Sequence, residues 1–113
     1  MGSANAFVAD PTEEERRVRI LMKVRIPVEG GNAGVKSGAL PKAIAEFMQQ
    51  AKPEAVYFSL SEGDRTMFAV VDMKSSSELP KLGEPFFIGF NASIDQTPCM
   101  TYEELGEGLS ALQ

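Results

Sequence analysis

Four residues in this sequence have types and spacing that could hold a small anion: Lys23, Arg25, Tyr57 and Asp95. Lys23 and Arg25 lie two apart in the run VRILMKVRIP (18–27), so on a strand they share a face. The guanidinium fork of Arg25 suits a carboxylate, which it can grip through two oxygens. Tyr57 adds a hydrogen-bond donor, and Asp95 offers an opposite charge. A plainer reading uses the same residues: a cross-strand ion pair from Lys23 or Arg25 to Asp95, worth about 0.2–1 kcal/mol. Either way, a charge in a dry interior needs a partner, so pairing or a ligand is required.

Other arrangements carry less. GGNAGVKS (30–37) nearly spells a phosphate-binding loop, with Lys36-Ser37 in place, but Val35 stands where a glycine must let the backbone turn. MFAVVD (67–72) imitates the strand that would accompany such a loop, and strands often end in Asp without that role. Asp72 and Asp95 could form an acid–base pair if one cavity held both. Cys99 follows Pro98 with no base beside it. The chain contains no histidine, which excludes a His-based triad, a histidine zinc site and a histidine-ligated haem. No metal or cofactor is expected. Any proton transfer falls to Asp, Glu, Lys, Tyr or Cys.

Positioning these residues requires a folded core. The chain has 113 residues, one domain's worth, and 43% of them are hydrophobic. Its net charge of −5 argues against general nucleic-acid binding. One cysteine cannot make an internal disulfide, and no run is long enough to cross a membrane. No secretory leader is read at the start, and the expected location is cytoplasmic. Residues 1–17 are expected to be a flexible arm, and 18–113 a single domain.

In residues 18–26, Val18, Ile20, Met22, Val24 and Ile26 alternate with Arg19, Leu21, Lys23 and Arg25, the period of a half-buried strand. Glu29-Gly30-Gly31 reads as a loop and Asn32 as a helix N-cap. Leu40, Ile44, Phe47, Met48 and Ala51 then form an apolar stripe. Pro41 either kinks that helix or, with Gly38 as its cap, sits harmlessly in the first turn; the kinked version is preferred. AVYFSL (55–60) and RTMFAVVDM (65–73) are strands around a Ser61–Asp64 hairpin loop. Ser77 is expected to cap a short helix that Gly83 and Pro85 end. Phe86, Phe87, Ile88 and Phe90 follow as the most apolar cluster, helical or extended, serving as core or dimer contact. NASIDQT (91–97) is a last strand, with Ala92 and Ile94 inward. Thr101 and Glu104 have capping-box spacing before a helix lined by Tyr102, Leu105, Leu109 and Leu112.

The economical fold is α+β: a ferredoxin-like βαββαβ unit with a four-stranded antiparallel sheet, order 4-1-3-2, helices on one face, and a C-terminal helix. Arg19, Leu21, Lys23, Arg25, Tyr57, Ser59, Ser93 and Asp95 then lie on the bare face, with one alternate set from the third strand. A face that apolar should not stay in water, and a second copy is the simplest cover.

KVRIPVEGGN (23–32), KPEAVYFS (52–59), VVDM (70–73) and EPFFIGFNASIDQTPCMT (84–101) together resemble small bacterial proteins of the dimeric α/β-barrel group. The nearest branch is functionally uncharacterised, and there is a distant resemblance to muconolactone isomerases. The resemblance implies a homodimer joined through the open sheet faces, without implying catalytic residues. The expected function is binding of a small acidic or aromatic metabolite on the open face. The alternative is a cofactor-free isomerase or lyase that moves a proton with a carboxylate or Tyr57.

Overall fold

The structure, a computed structural model, describes residues 17–113. The expected arm, apart from Arg17, lies outside the described residues. The described residues are α+β, with a four-stranded antiparallel sheet and four helices. Strand β1 is Val18–Ile26, and helices α1 (Val28–Ser37) and α2 (Ala39–Ala51) follow. Strands β2 (Ala55–Ser61) and β3 (Asp64–Met73) form a hairpin. Helix α3 (Glu78–Phe90), strand β4 (Ser93–Pro98) and helix α4 (Tyr102–Ser110) complete the order.

The sheet order is β2-β3-β1-β4, so β1 and β3 sit in the middle. Ile20, Met22, Val24 and Ile26 of β1 are buried, as are Met67, Ala69, Val71 and Met73 of β3. These alternate residues share one face, and Leu40, Phe47, Leu82, Phe86 and Phe90 from the helices pack on it. Phe86 stands nearly edge-on to Phe47, with ring centroids 5.9 Å apart. The third strand therefore gives Met67, Ala69 and Val71 to the core and leaves Phe68 and Val70 on the other face.

Three local readings need correction. Glu29-Gly30-Gly31 is not a loop: α1 begins at Val28 with Pro27 as its N-cap residue, and Asn32 lies inside it. The glycines are there for packing. A Cβ on Gly34 would fall 2.6 Å from the ring of Phe90, so the close approach of α3 requires glycine at that point. The rod is not a kinked single helix either. Gly38, at φ 85°, ends α1 and starts α2, which puts Pro41 in the first turn of α2 where its missing N–H costs nothing.

The third correction concerns α3. It runs through Gly83 and Pro85 to Phe90, and Phe86–Phe90 is its continuation. Leu82, Gly83, Phe86 and Phe90 make one buried stripe, and burying it outweighs the proline. Ser77 makes no cap bond. Glu78 holds the loop before the helix, its carboxylate accepting from the backbone N–H of Lys74 at 2.8 Å and of Ser75 at 3.2 Å, while the first-turn N–H groups of Glu78 and Leu79 donate to the carbonyls of Ser75 and Ser76.

Other readings hold as made. The hairpin turns on Glu62 and Gly63, both at positive φ, with Ser61 paired to Asp64. Strand β4 turns Ile94 inward, and Ala92 just before it is buried. The capping box is present: Thr101 Oγ1 accepts from Glu104 N at 3.1 Å, and Glu104 Oε1 accepts from Thr101 N at 2.8 Å. No helix among the described residues is long and apolar enough to cross a membrane.

Candidate functional site

The face of the sheet away from α1–α3 is built in rows set by strand register. Ala55, Val70, Leu21 and Thr97 form one row, and Tyr57, Phe68, Lys23 and Asp95 the next. Ser59, Thr66, Arg25 and Ser93 form a third. The four expected site residues thus share this face. Tyr57, Lys23 and Asp95 even share a row.

Sharing a row does not make them neighbours. Tyr57 and Asp95 stand on opposite edge strands, roughly 14 Å apart at ordinary strand spacing. Lys23 lies directly across from Asp95. Among the described residues neither closes an ion pair, so the expected cross-strand bridge is not formed. Arg25 does not turn to Asp95 at all. Its guanidinium pairs with Glu62 and, through Nε, with Asp64 Oδ2 at 3.3 Å. Both partners belong to the β2–β3 hairpin, which sequence spacing placed nearby only as a turn.

Arg25 is thereby neutralised, and among the described residues Lys23, at the centre of the face, closes no ion pair. It has Phe68 on one side and Asp95 on the other. Around it Leu21 is 42% exposed, a high figure for leucine on a central strand. Tyr57 points its ring to solvent at the sheet edge. The face mixes apolar side chains with charges of both signs.

A second cluster closes the Val18 end of this face. Arg19 Nε donates to Glu54 Oε1 at 2.8 Å, and Nη1 donates to Glu104 Oε1 at 2.5 Å. Asp72 lies across from Arg19, and with Arg17 and Glu104 the two border a polar hollow of about 170 Å³. Donating to Glu54 raises the pKa of Arg19 further. The hydrogen bonds from Thr101, followed by the charge of Arg19, hold the Glu104 carboxyl below the usual carboxylate range. Burial pushes the Cys99 thiol up, against the pull of Arg19, which leaves it a poor nucleophile.

The remaining arrangements dissolve. Asp72 on β3 faces Arg19 and Asp95 on β4 faces Lys23, four residues further along β1 and on its other side, so roughly 17 Å separates the two positions. They do not form an acid–base pair. GGNAGVKS is helical from end to end, with Lys36 in the exposed last turn of α1, so no loop is left to wrap a phosphate.

Sequence reasoning missed one feature: a half-open apolar groove on the helical side, about 360 Å³, between the β2–β3 hairpin and α2. The only early sign was that Phe58 and Leu60 share a face of an edge strand. The chain matches no family model, no curated protein and no solved structure, so fold and surface chemistry carry the functional argument alone.

Proposed function

We propose that this chain is a ferredoxin-like unit of the dimeric α/β-barrel kind, in which two copies join open face to open face and bind a small acidic or aromatic metabolite between them. The observation that carries the reading is Lys23. It sits centrally on a face bearing Leu21, Phe68 and Val70, while the arginines beside it already have carboxylate partners. Closing a second sheet over that face would remove the apolar side chains from water, at about 25 cal/mol per Å². It would also strip water from Lys23, whose charge would then need an anion. Asp95 could supply it, or the acid group of a ligand could. Tyr57, from the edge, is placed to offer a phenol hydrogen bond, and Arg25 to border the chamber as a structural pair with the hairpin.

Light scattering on the full chain at micromolar concentration tests the first half. A dimeric mass is expected, and Val70→Asp should reduce it to a monomer with a cooperative melt. A monomeric parent would end the proposal. Native mass spectrometry of protein purified from cells tests the second half. Dimers carrying a small acid are expected, and Lys23→Gln should lose it. Retention by Lys23→Gln would exclude Lys23 as the anchor.

A further inference from the structure

On the opposite side of the sheet, the groove beside the hairpin has the make-up of a binding site. Its walls are Ile44 and Leu40 of α2 and Phe58 and Leu60 of β2, with Phe86 also lining it. Phe58 and Leu60 point to the helical side, yet they are 56% and 69% exposed because α2 leaves the edge strand uncovered. Two large apolar side chains lining one groove favour an apolar occupant.

One end of the groove is charged. Arg65 shares a sheet row with Leu60 and Ile26 and lines the groove with them. Its guanidinium is held in place: Nη2 donates to Asn32 Oδ1 at 3.1 Å. Gly31 makes room for it, since a Cβ there would fall 2.5 Å from Nη1. Arg65 thus spends a donor on a neutral amide, and among the described residues it has no ion pair. A positioned cation without a counter-charge, at the end of an apolar trough, calls for a ligand with one anionic end and an apolar body.

We propose that this groove binds a monocarboxylate with an alkyl or aryl body, its carboxylate on Arg65 and its body along Phe58, Leu60, Ile44 and Leu40. The volume of about 360 Å³ falls in the range of small-molecule pockets. The site lies on the face that the proposed dimer leaves free, so it does not depend on that dimer.

The test is an amide-shift titration of the full chain with octanoate, with octanol as the uncharged control. Saturable shifts are expected at Ile44, Phe58, Leu60 and Arg65, with the open-face residues Lys23 and Tyr57 unmoved. Arg65→Gln should weaken octanoate about tenfold, the loss of a charge-assisted contact, and octanol should bind weaker by a similar factor. Leu60→Asp, at an exposed position, should abolish binding while preserving the melt. Equal affinity for octanoate and octanol, equal affinity in Arg65→Gln, undiminished binding in Leu60→Asp, shifts confined to the open face, or no shifts at all would overturn the assignment.

Discussion

Arg19 does more than any other single residue to fix the end of the domain. Its side chain ties Glu54, just before β2, to Glu104 in α4, and its backbone carbonyl accepts from Cys99 N at 2.9 Å. Glu104 in turn closes the capping box on Thr101. The sign of the pH dependence follows. The carboxyl of Glu104 is depressed in the folded state, so its contribution is present above the ordinary carboxylate pKa and is lost as pH falls through the lower, folded value. Carbon-detected titration should show Glu104 protonating at lower pH than an ordinary glutamate. Thr101→Ala should move Glu104 up toward the ordinary carboxylate range and cost the helix about 1 kcal/mol, read as faster amide exchange at Leu105. A Glu104 that titrates alike with and without the Thr101 side chain would mean the box does not persist in solution.

At the scale of elements, much of the architecture was legible and the helix boundaries were less so. Strict alternation in β1 showed which residues enter the core because a strand has a period of two; Ile20, Met22, Val24 and Ile26 are buried, and Val18 at the strand's start stays exposed. The capping box of α4 was legible because both partners lie within four residues. Pro41 and Pro85 misled for different reasons: the first depended on a local break at Gly38, the second on a packing contact far along the chain. Gly38 lets Pro41 fall in a first turn, and the burial of Phe86 carries α3 past Pro85. The face also misled. Composition and period put Lys23, Arg25 and Asp95 on one surface, but the preference of Arg25 for Glu62 and Asp64 depends on a turn that spacing alone does not aim. Gly38→Ala is the sharpest test of the two-helix reading. Its φ of 85° is left-handed, so a Cβ there should cost about 1–2 kcal/mol in chemical denaturation, although nothing lies within 4 Å of it. A neutral effect would favour one continuous rod.

For the whole molecule, stability rests on a single layer of contact between three helices and one sheet face. Phe86 is its centre, 1% exposed and packed against Phe47 and Phe90. Phe86→Ala should cost about 3–5 kcal/mol, enough to unfold a marginal domain of this size. Urea melts would read it directly, and a loss under 1 kcal/mol would mean the core can collapse around the gap. By contrast α4 buries no residue and exposes Tyr102, Leu105 and Leu109, with Leu112 exposed just beyond its end. Removing it should cost only the Glu104 contacts to Arg19, a small loss in the same urea melts beside that of Phe86→Ala.

Strand β2 also has a bearing on how this protein behaves when concentrated. Its seven residues, AVYFSLS, include no charge and no proline, and its outer rim is an edge of the sheet. No strand among the described residues pairs with that rim, which makes it an invitation to strand-by-strand growth into fibres. The guard against such growth is mutual repulsion from the net charge of −5. Salt that screens this repulsion removes the guard, so solutions of this chain should be least safe where ionic strength is highest.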